Sequence, residues 1–247
     1  MIGVESSRVM RAAPRKAAER VEASVPWDFS RKYAAVHHSG TISVENARKR
    51  SKIGRVMKVE TFETPQDAAK ALAGEVAELI RTRAAEGKNV VLGLATGATP
   101  LPFYAELVRM YKEEGLSFAN VISFNLDEYS GLDRDHPESY WYFMHTNLFN
   151  HIDIKPENIN LPSGTVKDDE IAAHCAAYEQ KIKDCGGIDL QILGIGRTGH
   201  IGFNEPGSDD TTITRQVHLD ELTRSDAAPA FGGIENVPTT AITMGVA

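Results

Sequence analysis

Short apolar runs and longer amphipathic stretches alternate along most of the chain. The apolar runs predict β-strands at residues 56–62, 90–94, 121–126 and 188–193. The amphipathic stretches predict α-helices at residues 68–85, 101–114, 140–149 and 170–184. Strands that alternate with helices of this length predict right-handed crossovers and a parallel sheet. The expected fold class is therefore α/β, a three-layer Rossmann-like domain built on a parallel sheet.

Cap and turn residues predict where several helices begin and end. Thr64 is expected to cap the first helix, with Pro65 at its first position. Gly87 and Gly115 are expected to end the first and second helices. The run 90–94 is apolar throughout, which is typical of a strand buried on both faces of a parallel sheet.

Residues 1–55 differ from the rest because they are rich in Lys and Arg. We expect a basic N-terminal extension there, with a short amphipathic helix over 8–22, followed by one domain over 56–247. The extension either packs on the domain or stays mobile; an arm that binds nucleic acid or a protein partner is the alternative.

Composition limits the classes of function. A chain of 247 residues with 42% hydrophobic and 25% charged residues is ordinary for one globular α/β domain. A net charge of −7 argues against a general nucleic-acid binder. Cys175 and Cys185 are too few for a disulfide framework, and they favour a reduced, cytoplasmic setting. No apolar run is long enough for a membrane span, and no secretory signal is expected.

The loop after the strand 90–94 is a candidate anion site. It contains Thr96, Gly97, Ala98 and Thr99, and a predicted helix follows it. Backbone N–H groups and the start of that helix would attract an anion such as phosphate. The glycine spacing matches neither a Walker loop nor a dinucleotide-binding loop. An ordinary strand-to-helix turn is the alternative.

Two further strand ends carry groups suited to proton transfer. Asp127 and Glu128 directly follow one strand and are candidates for a general base; a turn cap and a solvated charge are the alternative. The strand 188–193 leads into a loop with Gly199, His200 and Glu205, whose side chains supply an acid–base pair. The other histidines match no common metal spacing, so no metal is expected. Together the three loops indicate acid–base chemistry on a small phosphorylated molecule without a redox cofactor.

Five motifs in one order resemble the glucosamine-6-phosphate deaminase (glucosamine-6-phosphate isomerase) family. They are LGLATGATP at 92–100, SFNLDEY at 123–129, HPESY at 136–140, ENIN at 157–160 and GHIGFNEP at 199–206. The order also resembles the wider group that includes 6-phosphogluconolactonases, but the second and third motifs favour the deaminases. The resemblance implies the three-layer fold of the deaminase and phosphogluconolactonase type.

The resemblance also implies a reaction and roles for residues. D-Glucosamine 6-phosphate would become D-fructose 6-phosphate and ammonia, with Asp127 as the base at C2, His200 as the acid–base group for ring opening and Glu205 as its support. The 96–99 loop would hold phosphate, and Glu128 and Gly199 would also bind substrate. The family's reaction needs no metal or organic cofactor. The implied partner is a sugar phosphate, without nucleic acid or membrane; a homo-oligomer is left open.

Three departures from the family pattern bear on activity. Thr198 stands where the family has an aspartate before Gly199. No arginine lies in the stretch 225–232, which leaves Arg215 or Arg224 as substitutes for a phosphate contact. The family continues beyond the point where Ala247 stands, so a C-terminal part is expected to be missing, and the long bacterial members are the most similar. A non-catalytic sugar-phosphate-binding paralogue and a 6-phosphogluconolactonase-like hydrolase are the alternatives.

Overall fold

The computed structural model describes the backbone of residues 33–36 and the whole of residues 59–247. In chain order, the strands within these residues are β1 (Tyr33–Val36), β2 (Val90–Leu94), β3 (Val121–Asn125), β4 (Asp127–Tyr129), β5 (Ile159–Asn160), β6 (Leu190–Gly194), β7 (Arg215–His218) and β8 (Thr240–Thr243). They form a parallel sheet in the order β1-β6-β2-β3-β5 and an antiparallel sheet in the order β4-β8-β7.

The α-helices of the described part are α1 (Pro65–Ala85), α2 (Leu101–Glu114), α3 (Tyr140–Asn147), α4 (Ile171–Asp184) and α5 (Glu221–Phe231). Short 3-10 turns follow at Phe149–His151, Pro156–Asn158 and Ile234–Asn236. None of the helices in the described part is both long and apolar enough to cross a membrane.

The ends of α1 and α2 are set by the residues that the sequence indicated. The hydroxyl of Thr64 accepts a hydrogen bond from the backbone N–H of Asp67 at 3.1 Å, and Pro65 occupies the first helical position. Gly115 ends α2 with a φ of 69°, a left-handed conformation that glycine adopts without steric cost.

Apolar side chains pack on both faces of the parallel sheet. On one face, α1 and α2 bury Val76, Ile80 and Leu107 against β2 and its neighbours. On the other face, Tyr178 and Ile182 of α4 pack against strand residues. Every residue of β2 is buried. This arrangement confirms the expected α/β fold with a parallel sheet between helical layers.

The structure corrects the first predicted strand. Residues 59–62 of the predicted strand 56–62 have no regular secondary structure, and residues 56–58 lie outside the described part. The edge position beside β6 is taken instead by β1, from the segment predicted to be an extension, with Tyr33 in register with Gln191. The helix predicted at 8–22 lies outside the described residues. The domain boundary at residue 56 therefore stays a prediction.

The second sheet and α5 were not predicted. Asp127 was placed in a loop after a strand, yet it begins β4, which pairs antiparallel with β8. Each strand of this sheet has only three or four residues, too short for a clear apolar period. Tertiary packing decides such short elements more than their own sequence does.

Candidate active site

The three loops with candidate chemistry lie at one edge of the parallel sheet. They follow the carboxyl ends of β6, β2 and β3, which are direct neighbours in the order of strands. Ligands of open α/β sheets bind outside the carboxyl ends of the strands. The sheet therefore brings together loops that are separated by up to about 100 positions in the sequence.

Asp127 begins the antiparallel strand β4, with one residue between it and the end of the parallel strand β3. Leu126, just before it, donates a backbone hydrogen bond to Leu94 at 3.1 Å and accepts one from Met244 at 2.7 Å. Asp127 itself is in register with Thr243 of β8 and is only 5% exposed. Burial, and secondly the charge of Glu128, raises the pKa of Asp127 to about 8. A carboxyl group with such a pKa is suited to proton transfer near neutral pH.

Glu128 uses both carboxylate oxygens on backbone N–H groups. Oε1 accepts hydrogen bonds from Tyr129 at 2.9 Å and from Tyr140 at 3.0 Å, and Oε2 accepts one from Trp141 at 3.0 Å. Two of these donors are the first residues of α3, whose free N–H groups need acceptors. Burial raises the pKa of Glu128 to about 7 against the opposing effect of these bonds. The structure shows that Glu128 caps the start of α3. The predicted contact of Glu128 with substrate stays a prediction.

The loop after β6 turns tightly beneath His200. The N–H of Gly196 donates to the carbonyl of His200 at 2.9 Å, and the N–H of Gly199 donates to the carbonyl of Gly196 at 3.0 Å. A Cβ atom added at Gly196 would lie 2.1 Å from Nε2 of His200. The imidazole therefore rests directly on Gly196. Gly199, with a φ of 87°, serves this turn, and its predicted contact with substrate stays a prediction.

His200 and Glu205, which the sequence offers as an acid–base pair, contact each other in the structure, and their catalytic role stays a prediction. Nδ1 of His200 lies 3.1 Å from Oε1 of Glu205, and both side chains are less than one-fifth exposed. The hydroxyl of Thr198 lies 2.9 Å from Nδ1 and donates to Oε2 of Glu205 at 2.6 Å. Thr198 thus bridges the pair at the position where the family pattern has a carboxylate.

Thr223 is a site residue that the sequence reasoning missed. It lies on α5, and its hydroxyl donates to Oε1 of Glu205 at 2.5 Å. Two signals for this helix were present, since Asp220 caps its start by accepting from the N–H of Leu222, and Gly232 ends it. Pro229 inside the helix weakened that pattern.

Gly202 joins the two halves of the site. Its φ is 58°, and a Cβ atom added there would lie 2.9 Å from the hydroxyl of Thr243 and 3.5 Å from Oδ2 of Asp127. The loop that carries His200 therefore passes directly over Asp127. Thr243 fixes this approach, because its hydroxyl also accepts from the N–H of Phe203 at 3.1 Å.

The predicted anion loop follows β2, at the same edge of the parallel sheet as the other two loops. Gly97 and Ala98 are exposed, and Gly97 has a φ of 99°. The start of α2 has no side-chain cap, which leaves backbone N–H groups there without a side-chain acceptor. The predicted binding of phosphate by residues 96–99 stays a prediction.

The two arginines considered for a phosphate contact have different surroundings. The guanidinium of Arg215 donates to Oδ1 of Asn204 at 2.8 Å and to the hydroxyl of Ser208 at 3.2 Å. It therefore lies against the loop that carries Glu205. Arg224 donates to the carbonyls of Ile234 at 2.8 Å and Val237 at 3.0 Å. Arg224 thus holds the segment after α5, and only Arg215 lies beside the site loop.

The arrangement supplies a buried carboxyl group at the start of β4 and an oriented imidazole on the loop that passes over it. Such a pair moves protons between neighbouring atoms of a bound molecule. Among the described residues, no three His, Cys, Asp or Glu side chains gather in a way that would hold a metal ion.

Comparison with known proteins adds the family. Residues 63–219 match the family of glucosamine-6-phosphate isomerases/6-phosphogluconolactonase. The glucosamine-6-phosphate deaminase of Thermoanaerobacter sp. (strain X514) is 51% identical over 175 residues, which cover 71% of this chain and 68% of that protein. A putative glucosamine-6-phosphate deaminase-like protein of Bacteroides thetaiotaomicron is 45% identical over 204 residues, 82% of this chain and 31% of that longer protein.

Solved structures agree with this match. A monomeric glucosamine-6-phosphate deaminase superposes with a TM-score of 0.73 at 43% identity, over 77% of this chain and 76% of that one. A 6-phosphogluconolactonase from Leishmania guyanensis superposes with a TM-score of 0.58 at 20% identity, over 75% of each chain. The second likeness is one of fold alone.

Proposed function

The chain belongs to the family of glucosamine-6-phosphate isomerases and 6-phosphogluconolactonases, and we propose that it is a glucosamine-6-phosphate deaminase. The reaction consumes D-glucosamine 6-phosphate and water and yields D-fructose 6-phosphate and ammonia, a step of amino-sugar catabolism. The observation that carries the proposal is the approach of the His200 loop to Asp127 at Gly202.

Asp127 takes the proton from C2 of the ring-opened substrate in this proposal. The electron pair of the C2–H bond forms a C1–C2 double bond, while O1 of the aldehyde gains a proton in place of one that the ammonium group loses. The proton from C2 is then delivered to C1, and the nitrogen electron pair forms the double bond of an iminium group at C2. Water then adds to C2, and ammonia leaves. The ammonium group of the substrate is bonded to C2, and a cation beside a buried carboxyl group favours the ionised form of that group. The raised pKa of Asp127 therefore suits a cationic substrate.

His200 opens the sugar ring in this proposal, with Glu205 as its support. Ring opening requires a proton to leave the anomeric hydroxyl and another to reach the ring oxygen. Nδ1 of His200 faces Glu205 at 3.1 Å, so Nε2 is the nitrogen available to the sugar. The 96–99 loop and the start of α2 bind the phosphate group, and Arg215, which contacts the loop of Glu205, is a candidate for an additional cationic contact.

Ammonia release from glucosamine 6-phosphate tests the function. We expect turnover by the wild-type chain and a loss of about 10²–10⁴-fold in Asp127→Asn, the range for one positioned acid–base group. Asp184→Asn is a matched control, because Asp184 is an exposed carboxylate at the end of α4. Activity equal in Asp127→Asn and wild type would contradict the role of Asp127.

The same variant separates the alternative functions. A lactonase needs no base at a carbon atom, so Asp127→Asn would leave hydrolysis of a sugar-phosphate lactone largely intact. A non-catalytic paralogue would bind glucosamine 6-phosphate without releasing ammonia, in wild type and variant alike. Isothermal titration of the folded chain with glucosamine 6-phosphate measures that binding directly.

We propose further that the chain works in the cytoplasm and that one copy suffices for turnover. Cys175 and Cys185 are both free, and Cys175 lies in α4 while Cys185 directly follows its end, so about 15 Å of helix separates them, too far for a disulfide. The likeness to a monomeric glucosamine-6-phosphate deaminase supports the second point. Size-exclusion chromatography of the active fraction tests the second point, and activity found only in a homo-oligomer would contradict it.

A further inference from the structure

Helix α5 reaches the acid–base pair through one buried hydroxyl group. Thr223 lies in the first turn of α5 and is only 9% exposed. Its hydroxyl bonds to Oε1 of Glu205 at 2.5 Å and lies 3.4 Å from Nδ1 of His200. One turn further along, Asp226 pairs with Arg197 at 2.7 Å. Helix α5 therefore contacts the loop that carries His200 at two points, Glu205 and Arg197.

The hydrogen atoms of two threonine hydroxyls decide the state of the imidazole. Each hydroxyl has a single hydrogen to donate. For Thr198 the carboxylate of Glu205 is nearer than Nδ1, at 2.6 Å against 2.9 Å. For Thr223 the carboxylate is also nearer, at 2.5 Å against 3.4 Å. A carboxylate is the stronger acceptor as well, so both hydrogens point to Glu205.

Nδ1 of His200 then faces only acceptors. The three oxygen atoms around it belong to Thr198, Glu205 and Thr223, at 2.9, 3.1 and 3.4 Å. None of them has a hydrogen left for Nδ1. A neutral imidazole in this position must carry its own hydrogen on Nδ1 and present a lone pair at Nε2.

We propose that Thr223 is a positioning residue, whose hydroxyl works with that of Thr198 to hold Glu205 and keep the proton of neutral His200 on Nδ1. One point of this proposal rests on the proposed function, namely that the substrate facing Nε2 is glucosamine 6-phosphate. Without the hydroxyl of Thr223, Oε1 of Glu205 loses its second partner and the carboxylate is free to turn. Nδ1 then loses its fixed acceptor, and a second tautomer becomes accessible.

Two substitutions separate the hydroxyl from the bulk of the side chain. Thr223→Val replaces the hydroxyl with a methyl group of similar size, and Thr223→Ser keeps the hydroxyl. We expect kcat for ammonia release to fall about tenfold in Thr223→Val, with KM within about twofold, because the loss affects proton transfer rather than binding. Thr223→Ser should recover kcat to within about threefold of wild type.

Thr82→Val is the matched control. Thr82 lies on α1, and its hydroxyl also contacts a glutamate, Oε1 of Glu78 at 3.5 Å. This variant should keep the wild-type kcat. A Thr223→Val variant with wild-type kcat, or a folded Thr223→Ser variant as slow as Thr223→Val, overturns the proposal.

Nuclear magnetic resonance of ¹⁵N-histidine-labelled protein tests the tautomer without any turnover. The resonances of His200 are assigned by their loss in His200→Gln. We expect neutral His200 to carry its hydrogen on Nδ1 in wild type, with a mixture of tautomers in Thr223→Val. A main tautomer protonated on Nε2 in wild type overturns the proposal, even where Thr223→Val fails to fold. If wild type releases no ammonia, the proposed function fails, while the spectrum still decides the role of Thr223.

Discussion

The two halves of the candidate site control their acid–base groups by different means. Asp127 is governed by burial: it is the first residue of β4 and is only 5% exposed, and the cost of burying its charge raises its pKa to about 8. His200 is governed by contacts: a glycine lies beneath the ring, and oxygen atoms surround one nitrogen. The difference shows that burial tunes the strength of a base, whereas hydrogen bonds fix the direction of a proton.

Among the changes around His200, Gly196→Ala should lower the activity most. A methyl group there would lie 2.1 Å from Nε2 of His200, so the ring must move. Displacement of a catalytic group by about 1 Å costs about 10²-fold in turnover, and we expect a loss of that size in ammonia release. Gly194→Ala is the matched control, because a Cβ atom at Gly194 meets nothing within 4 Å. Equal activity of the two variants would contradict the seating of His200 on Gly196.

The burial-governed half should appear in the pH dependence of kcat/KM. A general base acts only when deprotonated, so a pKa raised to about 8 places Asp127 largely in its inactive form below that pH. We expect kcat/KM, corrected for the ionisation of the substrate, to fall about tenfold per unit as the pH drops below about 8. A profile that is flat between about pH 5 and 8 would show that Asp127 is not the limiting base.

Glu128→Gln should change two properties, the pKa of Asp127 and the stability of the fold. The substitution removes the charge that is the second cause of the raised pKa of Asp127, so the acid limb of the profile should move to lower pH. It also places the amide NH2 group of the glutamine against one of the three backbone N–H groups that donate hydrogen bonds to Glu128. We expect a loss of about 1–3 kcal/mol in the free energy of unfolding, measured with urea.

The exposed glutamate Glu113 of α2 provides the control for this stability change. Its side chain is 64% exposed, and Glu113→Gln should change the free energy of unfolding by less than about 0.5 kcal/mol. Equal stability of the two variants would contradict the role of Glu128 at the start of α3.

The sequence predicted the long elements because their periods are strong and their caps are local. Thr64 and Gly115 mark helix ends through contacts within a few residues, and the uniformly apolar run of β2 indicates burial on both faces. The positions of Asp127, His200 and Glu205 at strand ends followed from the same pattern. That the loops of these residues lie close together depends on the order of strands in the sheet, which no local sequence pattern predicts.

The parts that escaped prediction depend on distant partners. The strand β4 exists because Asp127 is in register with Thr243, more than a hundred residues away. Thr223 reaches the site only because α5 folds back onto the loop of Glu205. The seating of His200 on Gly196 needs three-dimensional coordinates, although the glycine itself was visible in the sequence.

The weakest expected effect concerns the ion pair between Arg197 and Asp226 of α5. Arg197 and Asp226 pair at 2.7 Å, but their side chains are 60% and 51% exposed. Exposed ion pairs contribute about 0–1 kcal/mol, so Arg197→Gln should shift the free energy of unfolding by no more than that and leave kcat within about twofold. A tenfold loss of kcat in Arg197→Gln would mean that the exposed pair, rather than the hydroxyl of Thr223, holds α5 against His200. Added salt should mimic the substitution, because screening weakens an exposed pair and leaves the buried hydroxyl contact in place.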